Sequence, residues 1–249
     1  MKSAVKLVGC CTTGYLHDGN PTGEMVSFDG TQVYCKLPND KSTKHAVLIF
    51  TDVMGHTFQN NQLLADNFAA NGFFAVMPDL FAGDAVPLNR SDKFDILEWL
   101  KNHLPEHIEP IVWKVMRALK NRYRCEFIAG AGYCYGAKYV LRFLKRNILD
   151  IGFIAHPSEI DREEILGIER PLSLAAGAGD VQFSIQKRQE IELALEKTNR
   201  PYQITVYSKV GHGFAVRCDV ANAECRFAKE QAFSQAVQWF LLGRAQNKK

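Results

Sequence analysis

The sequence predicts an α/β fold: a mostly parallel central sheet with helices on both faces, opened by an N-terminal antiparallel hairpin. Three observations carry that expectation. Six short, nearly continuous apolar runs read as strands buried on both faces, segments of helical spacing alternate with them, and an Asp29-Gly30 dipeptide separates two strand-like stretches near the start. Alternating strand and helix calls for a sheet covered on both sides. In such sheets chemistry collects at the carboxyl ends of the strands.

The elements follow in order. "EMVSF" (24–28) and "TQVYCKL" (31–37) flank Asp29-Gly30, a dipeptide that favours the tight turns of hairpins. The polar "PNDKSTKH" (38–45) is a surface connection between strands. The buried strands are then "AVLIFTD" (46–52), "FFAVMPD" (73–79), "CEFIAG" (125–130), "IGFIAH" (151–156), "LSLAAG" (172–177) and "YQITVYS" (202–208). Helical spacing fills roughly 58–71, 91–102, 107–121, 135–147, 184–197 and 222–242. In the last of these Phe227, Ala228, Ala232, Phe233, Val237, Phe240 and Leu241 recur at three- and four-residue steps, and Gly243 is placed to end the helix.

At 249 residues and 47% apolar composition the chain is expected to form a single domain over 1–249. Thirty Lys plus Arg against 27 Asp plus Glu give a net charge of +3, too balanced for a protein that neutralises phosphates. Nucleic acid is therefore not expected as a partner. No apolar run approaches the roughly 20 residues that cross a bilayer, and "MKSAVKLVGCCTTGYLHDGN" lacks a sustained apolar segment. A cytoplasmic protein without a membrane partner is the expectation. Seven cysteines (10, 11, 35, 125, 134, 218 and 225) form no regular framework, which fits a reducing compartment. No CxxC pair suggests zinc, so no metal is expected.

Chemistry concentrates in "FIAGAGYCYGAKYV" (127–140). Cys134 follows one predicted strand, Asp180 follows another in "GAGD", and His212 follows the last in "GHGF", which places all three at one edge of the sheet. Nucleophile, acid, histidine is the chain order of α/β-hydrolase sheets. Gly132 and Gly136 clear side chains from a sharp strand-to-helix turn. A cysteine in the first turn of a helix is acidified by unpaired amides; His212 would move the proton and Asp180 would fix its tautomer. Each residue alone has a plainer reading: a small buried thiol, a solvated histidine, a turn-capping aspartate. Their joint placement favours the triad.

"GAGYCYG" also looks like a dinucleotide fingerprint, but Gly132 and Gly136 are separated by three residues where the motif needs two. For the oxyanion, the amide of Tyr135 is one expected donor, and the loop after 46–52 supplies the other, Val53, with Met54 as the alternative. Asp52 either faces the thiol or caps the following helix.

These residues resemble the dienelactone hydrolases, also called carboxymethylenebutenolidases, over nearly the whole chain. "GYCYGAK" (132–138), "AAGAGDVQF" (175–183) and "GHGFAVR" (211–217) carry the resemblance, supported by "TDVMG" (51–55) and "MPDLFAGD" (77–84). The opening "CCTTGYLHDGNPTGE" is similar to that of the eukaryotic, especially fungal, branch. The resemblance implies an α/β-hydrolase fold and a Cys134–His212–Asp180 triad attacking an enol-lactone or related ester, with no metal or organic cofactor. In the bacterial members a glutamate governs ionisation of the thiol; Asp52 stands at that position. Bacterial members hold the substrate carboxylate with two arginines, and ungapped matching puts Gly83 and Val216 there. Arg217, one residue late, either serves or faces solvent, and Gly213 replaces a serine. Tyr133, Tyr135, Phe81, Phe183 and Phe214 either line an apolar pocket or belong to the core.

The expected function is cysteine-dependent hydrolysis of small esters, enol-lactones or thioesters through a thioester acyl-enzyme, in a monomer or homodimer. The alternative is a catalytically silent protein that binds a small molecule in the same pocket.

Overall fold

The structure, a computed structural model, describes residues 12–90, 94–145 and 148–247. Cys10 and Cys11 lie outside the described residues, as do the predicted start of the helix at 91 and the end of the one at 147. Strands β1 (Glu24–Phe28), β2 (Thr31–Lys36), β3 (His45–Phe50), β4 (Phe74–Pro78), β5 (Phe127–Tyr133), β6 (Ile151–Ala155), β7 (Leu172–Gly177) and β8 (Tyr202–Tyr207) form one sheet in the order β1-β2-β4-β3-β5-β6-β7-β8. β1 and β2 make the predicted hairpin, with Phe28 opposite Thr31, and β2 runs antiparallel to β4. From β4 to β8 every pairing is parallel.

The helices are α1 (Gln59–Ala70), α2 (Ile96–Lys101), α3 (Pro105–Arg117), α4 (Gly136–Leu144), α5 (Arg162–Leu166), α6 (Ile185–Thr198), α7 (Phe214–Arg217) and α8 (Ala223–Gln246). Alternate strand residues face opposite layers. Leu48 and Phe50 pack with Val115, Val140 and Leu195 of α3, α4 and α6. Val47 and Ile49 pack with Phe68, Ala232 and Phe240 of α1 and α8. Burying one such side chain stabilises by about 1.5–3 kcal/mol relative to exposure, and the inner strands are covered on both faces. That double burial explains their continuous apolar runs.

Three expectations are corrected. α8 does not stop at Gly243 but continues to Gln246. A Cβ on Gly243 would lie 2.7 Å from Ile151 Cδ1, so this glycine lets the helix press against β6. β8 is not buried on both faces: it forms the edge of the sheet, and its residues are mostly half-exposed. α3 starts at Pro105, where proline fits a first helical turn, and ends in a π-helical turn over Ala118–Arg122. The short α5 and α7 were not foreseen, since four or five residues hold too little periodicity to show.

The segment before β1 is also ordered by hydrogen bonds. Asn60 on α1 gives its side-chain amide to the carbonyls of Tyr15 (2.9 Å) and Val216 (3.0 Å), and its own oxygen accepts from His17 N (2.8 Å). Tyr15 N donates to Arg217 O at 3.0 Å. Residues 13–17 thus form a strap that ties α1 to α7.

Candidate active site

β5 ends at Tyr133, and Cys134 takes the turn itself with φ of 52°. This left-handed conformation costs a non-glycine residue of order 1–3 kcal/mol and persists where the surroundings over-determine it. They do so here. A Cβ on Gly136 would come within 2.0 Å of Phe50 O, and one on Gly132 within 2.7 Å of Val140 Cγ2. Both glycines are demanded by the approach of α4 to the strands, as expected from sequence. One detail differs: α4 begins at Gly136, so Cys134 lies on the corner ahead of the helix instead of in its first turn. A left-handed φ is incompatible with the helix.

The corner presents the sulfur to an imidazole while keeping it wholly out of solvent. His212 Nε2 lies 3.0 Å from Cys134 Sγ, and His212 Nδ1 lies 2.9 Å from Asp180 Oδ2. The other Asp180 oxygen accepts from the amides of Gln182 (2.9 Å) and Phe183 (3.2 Å), which fixes the carboxylate in its turn. The three residues singled out from strand ends therefore meet. Burial alone would lower His212, but the charge of the Cys134 sulfur and the bond to Asp180 push it up to about 10. Burial alone would raise Asp180; the hydrogen bond and charge of His212 prevail and hold it below its ordinary value. Burial pushes Cys35 up to about 12, Cys125 to about 11 and Cys218 to about 12.

Asp52 and Arg217, separately named from the sequence, face each other. Arg217 Nη1 lies 2.6 Å from Asp52 Oδ2, with both side chains buried. Asp52 Oδ1 accepts from Met54 N (3.2 Å) and from the side chain of Asn61 on α1 (Nδ2, 3.0 Å), but it does not cap that helix, whose N-cap position is Phe58 without a side-chain bond. Arg217 does not face solvent: its Nε donates to Thr13 O in the strap at 3.1 Å. Removing one partner of a buried ion pair strands a charge at a cost of about 3–5 kcal/mol. Arg217→Met is expected to lose that much stability in urea denaturation, and the double variant Asp52→Asn/Arg217→Met to lose less. A melt unchanged by Arg217→Met would mean that the pair contributes nothing.

Gly213, at φ of 83°, sits where a Cβ would approach Arg217 Cζ to 2.6 Å, which excludes a side chain after the histidine. Gly83 is exposed and donates its amide to Asp79 Oδ2 at 2.7 Å, while Val216 is buried. The five aromatics divide between layers. Phe81, Phe183 and Tyr135 share the Cys134 layer, where Phe81 packs on Tyr135 with ring centroids 5.4 Å apart. The Tyr135 hydroxyl donates to His103 O. Tyr133 and Phe214 lie in the opposite layer, because strand alternation turns Tyr133 away from its neighbour Cys134. A single lining made of all five is excluded.

Two residues beside the sulfur went unnoticed in the sequence, His156 and Ser158. Ser158 Oγ lies 3.7 Å from Cys134 Sγ, and the His156 ring lies 5.2 Å from that of His212. His156 closes "IGFIAH" one residue beyond the end of β6, the kind of strand-end position that the other three also occupy. Among the described residues no cluster of His, Cys, Asp or Glu is arranged to hold a metal ion.

Comparison with known proteins identifies the family. Residues 31–242 match the dienelactone hydrolase family. The hydrolase pyvD of Aspergillus violaceofuscus is 49% identical over 93% of this chain and 94% of its own length. The hydrolase tropI of Talaromyces stipitatus is 47% identical over 93% and 94%. Dienlactone hydrolase 1 of Gibberella moniliformis is 34% identical over 92% and 91%. In fold, a crystal structure described as a putative dienelactone hydrolase from Klebsiella pneumoniae superposes with a TM-score of 0.75 at 15% identity, over 88% of this chain and 98% of that one. With the sheet order, the corner at Cys134 and these relatives in agreement, the chain is a hydrolase with the α/β-hydrolase fold and belongs to the dienelactone hydrolase family.

Proposed function

We propose that this hydrolase cleaves small activated esters, enol-lactones or thioesters with Cys134 as nucleophile. The observation that carries this reading is the unbroken line from Asp180 through His212 to the sulfur, at 2.9 and 3.0 Å. The thiolate attacks the carbonyl carbon, and the negative charge moves to the carbonyl oxygen, against the amides of Tyr135 and Val53. Val53 is favoured over Met54 because the Met54 amide already donates to Asp52. The carbon–oxygen bond to the leaving group breaks, the departing enolate or alkoxide takes the proton of His212, and a thioester remains. Neutral His212 then takes a proton from water, hydroxide adds to the thioester, and collapse releases the acid and restores the thiolate. Because a thiolate is itself readily expelled from the tetrahedral intermediate, good leaving groups are required. Ordinary amides should not react.

The test is chemical. Acid-quenched reactions with p-nitrophenyl acetate should carry one acetyl group on the peptide containing Cys134, detected by mass spectrometry. Turnover without any such adduct under burst conditions, and unchanged in Cys134→Ala, would remove this cysteine from the mechanism.

A pH dependence follows from the same pair. His212 holds its proton until pH rises through about 10, so the imidazolium half of the pair is lost above that value. Iodoacetamide alkylation of Cys134 is therefore expected to vary by less than about threefold between roughly pH 6.5 and 8.5, whereas an ordinary thiol gains close to tenfold per unit below its pKa. A tenfold rise per unit at Cys134 would contradict the ion pair.

A further inference from the structure

We propose that the loop closing β6, His156-Pro157-Ser158, holds the nucleophile in its ionised form: the Ser158 hydroxyl and one ring N–H of His156 donate to the Cys134 thiolate beside His212. This rests on the reading of Cys134 as the nucleophile. The residues are positioning residues, acting through the sulfur.

The need arises from burial. Cys134 has no exposed surface, so water does not solvate a charge on it, and a buried charge is tolerated only when several donors replace the lost hydration. His212 supplies one donor. The rest has to come from the elements packed around the corner, and β6 is the strand beside β5. Tyr133 pairs with Ala155, so Cys134 and His156 leave neighbouring parallel strands at the same level. Two backbone bonds lace the corners together: Cys134 N donates to Ala155 O at 3.2 Å, and Ser158 N donates to Cys134 O at 3.2 Å. These bonds carry the Ser158 hydroxyl to 3.7 Å from the sulfur, within reach of a hydrogen bond to sulfur.

His156 is the second indication. It is completely buried, with φ of 37°, a strained conformation shared with Cys134. Neither of its ring nitrogens has a hydrogen-bond partner in this resting arrangement. An unsatisfied buried polar group costs about 1–3 kcal/mol, and strained, costly groups accumulate where function demands them. The ring lies edge-on to His212 at 5.2 Å and to Phe214 at 5.7 Å. Burial drives His156 toward its neutral form, the nearby sulfur opposes this, and the charges of His212 and Arg217 add to the lowering. A neutral imidazole keeps one N–H to donate and adds no second cation beside His212. The other charged groups around the site are already engaged: Asp180 behind His212, and Asp52 against Arg217.

The test is a thiolate titration at 240 nm on the full chain, with Cys134→Ala subtracted, paired with the pH profile of alkylation. Ser158→Ala is expected to move the apparent thiolate pKa upward by about one unit, and His156→Phe to move it further. Ser158→Thr and His156→Gln, which keep a donor, should recover most of the shift. A thiolate pKa and alkylation profile in folded Ser158→Ala equal to wild type would overturn the proposal, even if His156→Phe failed to fold. Failure of the underlying reading looks different: turnover would then survive in Cys134→Ala itself.

Discussion

Cys134→Ala is expected to reduce p-nitrophenyl acetate hydrolysis by roughly 10⁴-fold or more, the scale lost when the nucleophile of a triad is deleted. The residual rate would come from binding and from the oxyanion donors that survive the substitution. Cys134→Ser should recover little, because the site suits a group that ionises beside an imidazolium, and a hydroxyl does not. The same variant reports on its neighbour. The sulfur's charge is one of the influences that raise His212 to about 10. Without it, burial is opposed by Asp180 and weaker influences alone, and the imidazole should titrate lower. Histidine NMR titration of wild type and variant compares the two directly. A His212 that titrates identically in both would show that the sulfur carries no charge in the resting enzyme.

Gly136→Ala is expected to abolish accumulation of folded protein, or to destabilise it by more than about 4 kcal/mol. The clash is with main chain, which cannot rotate aside: the added carbon would lie 2.0 Å from Phe50 O, 2.4 Å from Phe50 C and 2.7 Å from Thr51 O. Relief requires parting α4 from the end of β3, the strand that leads into Asp52 and Val53. Gly83→Ala provides the contrast. It also has positive φ, 88°, but no atom lies within 4 Å of the added carbon, so only the conformational strain, of order 1 kcal/mol, should appear. Urea midpoints of both variants, or the soluble fraction when Gly136→Ala does not fold, measure the difference. Comparable losses would mean that the elbow can relax.

The meeting of Cys134, His212 and Asp180 was legible in the sequence in part because topology places all three at one edge of the sheet. A residue just beyond a parallel strand sits at the sheet's carboxyl edge, so all three share that edge; β5 and β8 are separated by β6 and β7, and the loops after β7 and β8 bring Asp180 and His212 to the sulfur. The α/β alternation was legible for a related reason, since double burial leaves uninterrupted apolar runs. What could not be read depends on distant segments. Asp52 and Arg217 are 165 positions apart, and no local pattern marks them as partners. Gly243 looked like a stop signal because a glycine that ends a helix and one that brings a helix close to a strand are the same letter. Tyr133 could have been assigned to the far layer by counting one residue back from Cys134. His156 was hidden by its own strand: a polar residue closing an apolar run is easily counted as its last member.

The strap has a consequence for where this enzyme's working unit begins. The family match starts at residue 31, yet Thr13 O is an acceptor for Arg217, and the Tyr15 carbonyl and His17 amide bind Asn60. A recombinant fragment cut to the conventional family boundary would keep Cys134, Asp180 and His212 and lose the clasp on the guanidinium that neutralises Asp52. The clasp therefore lies ahead of the family boundary, in residues 13–17.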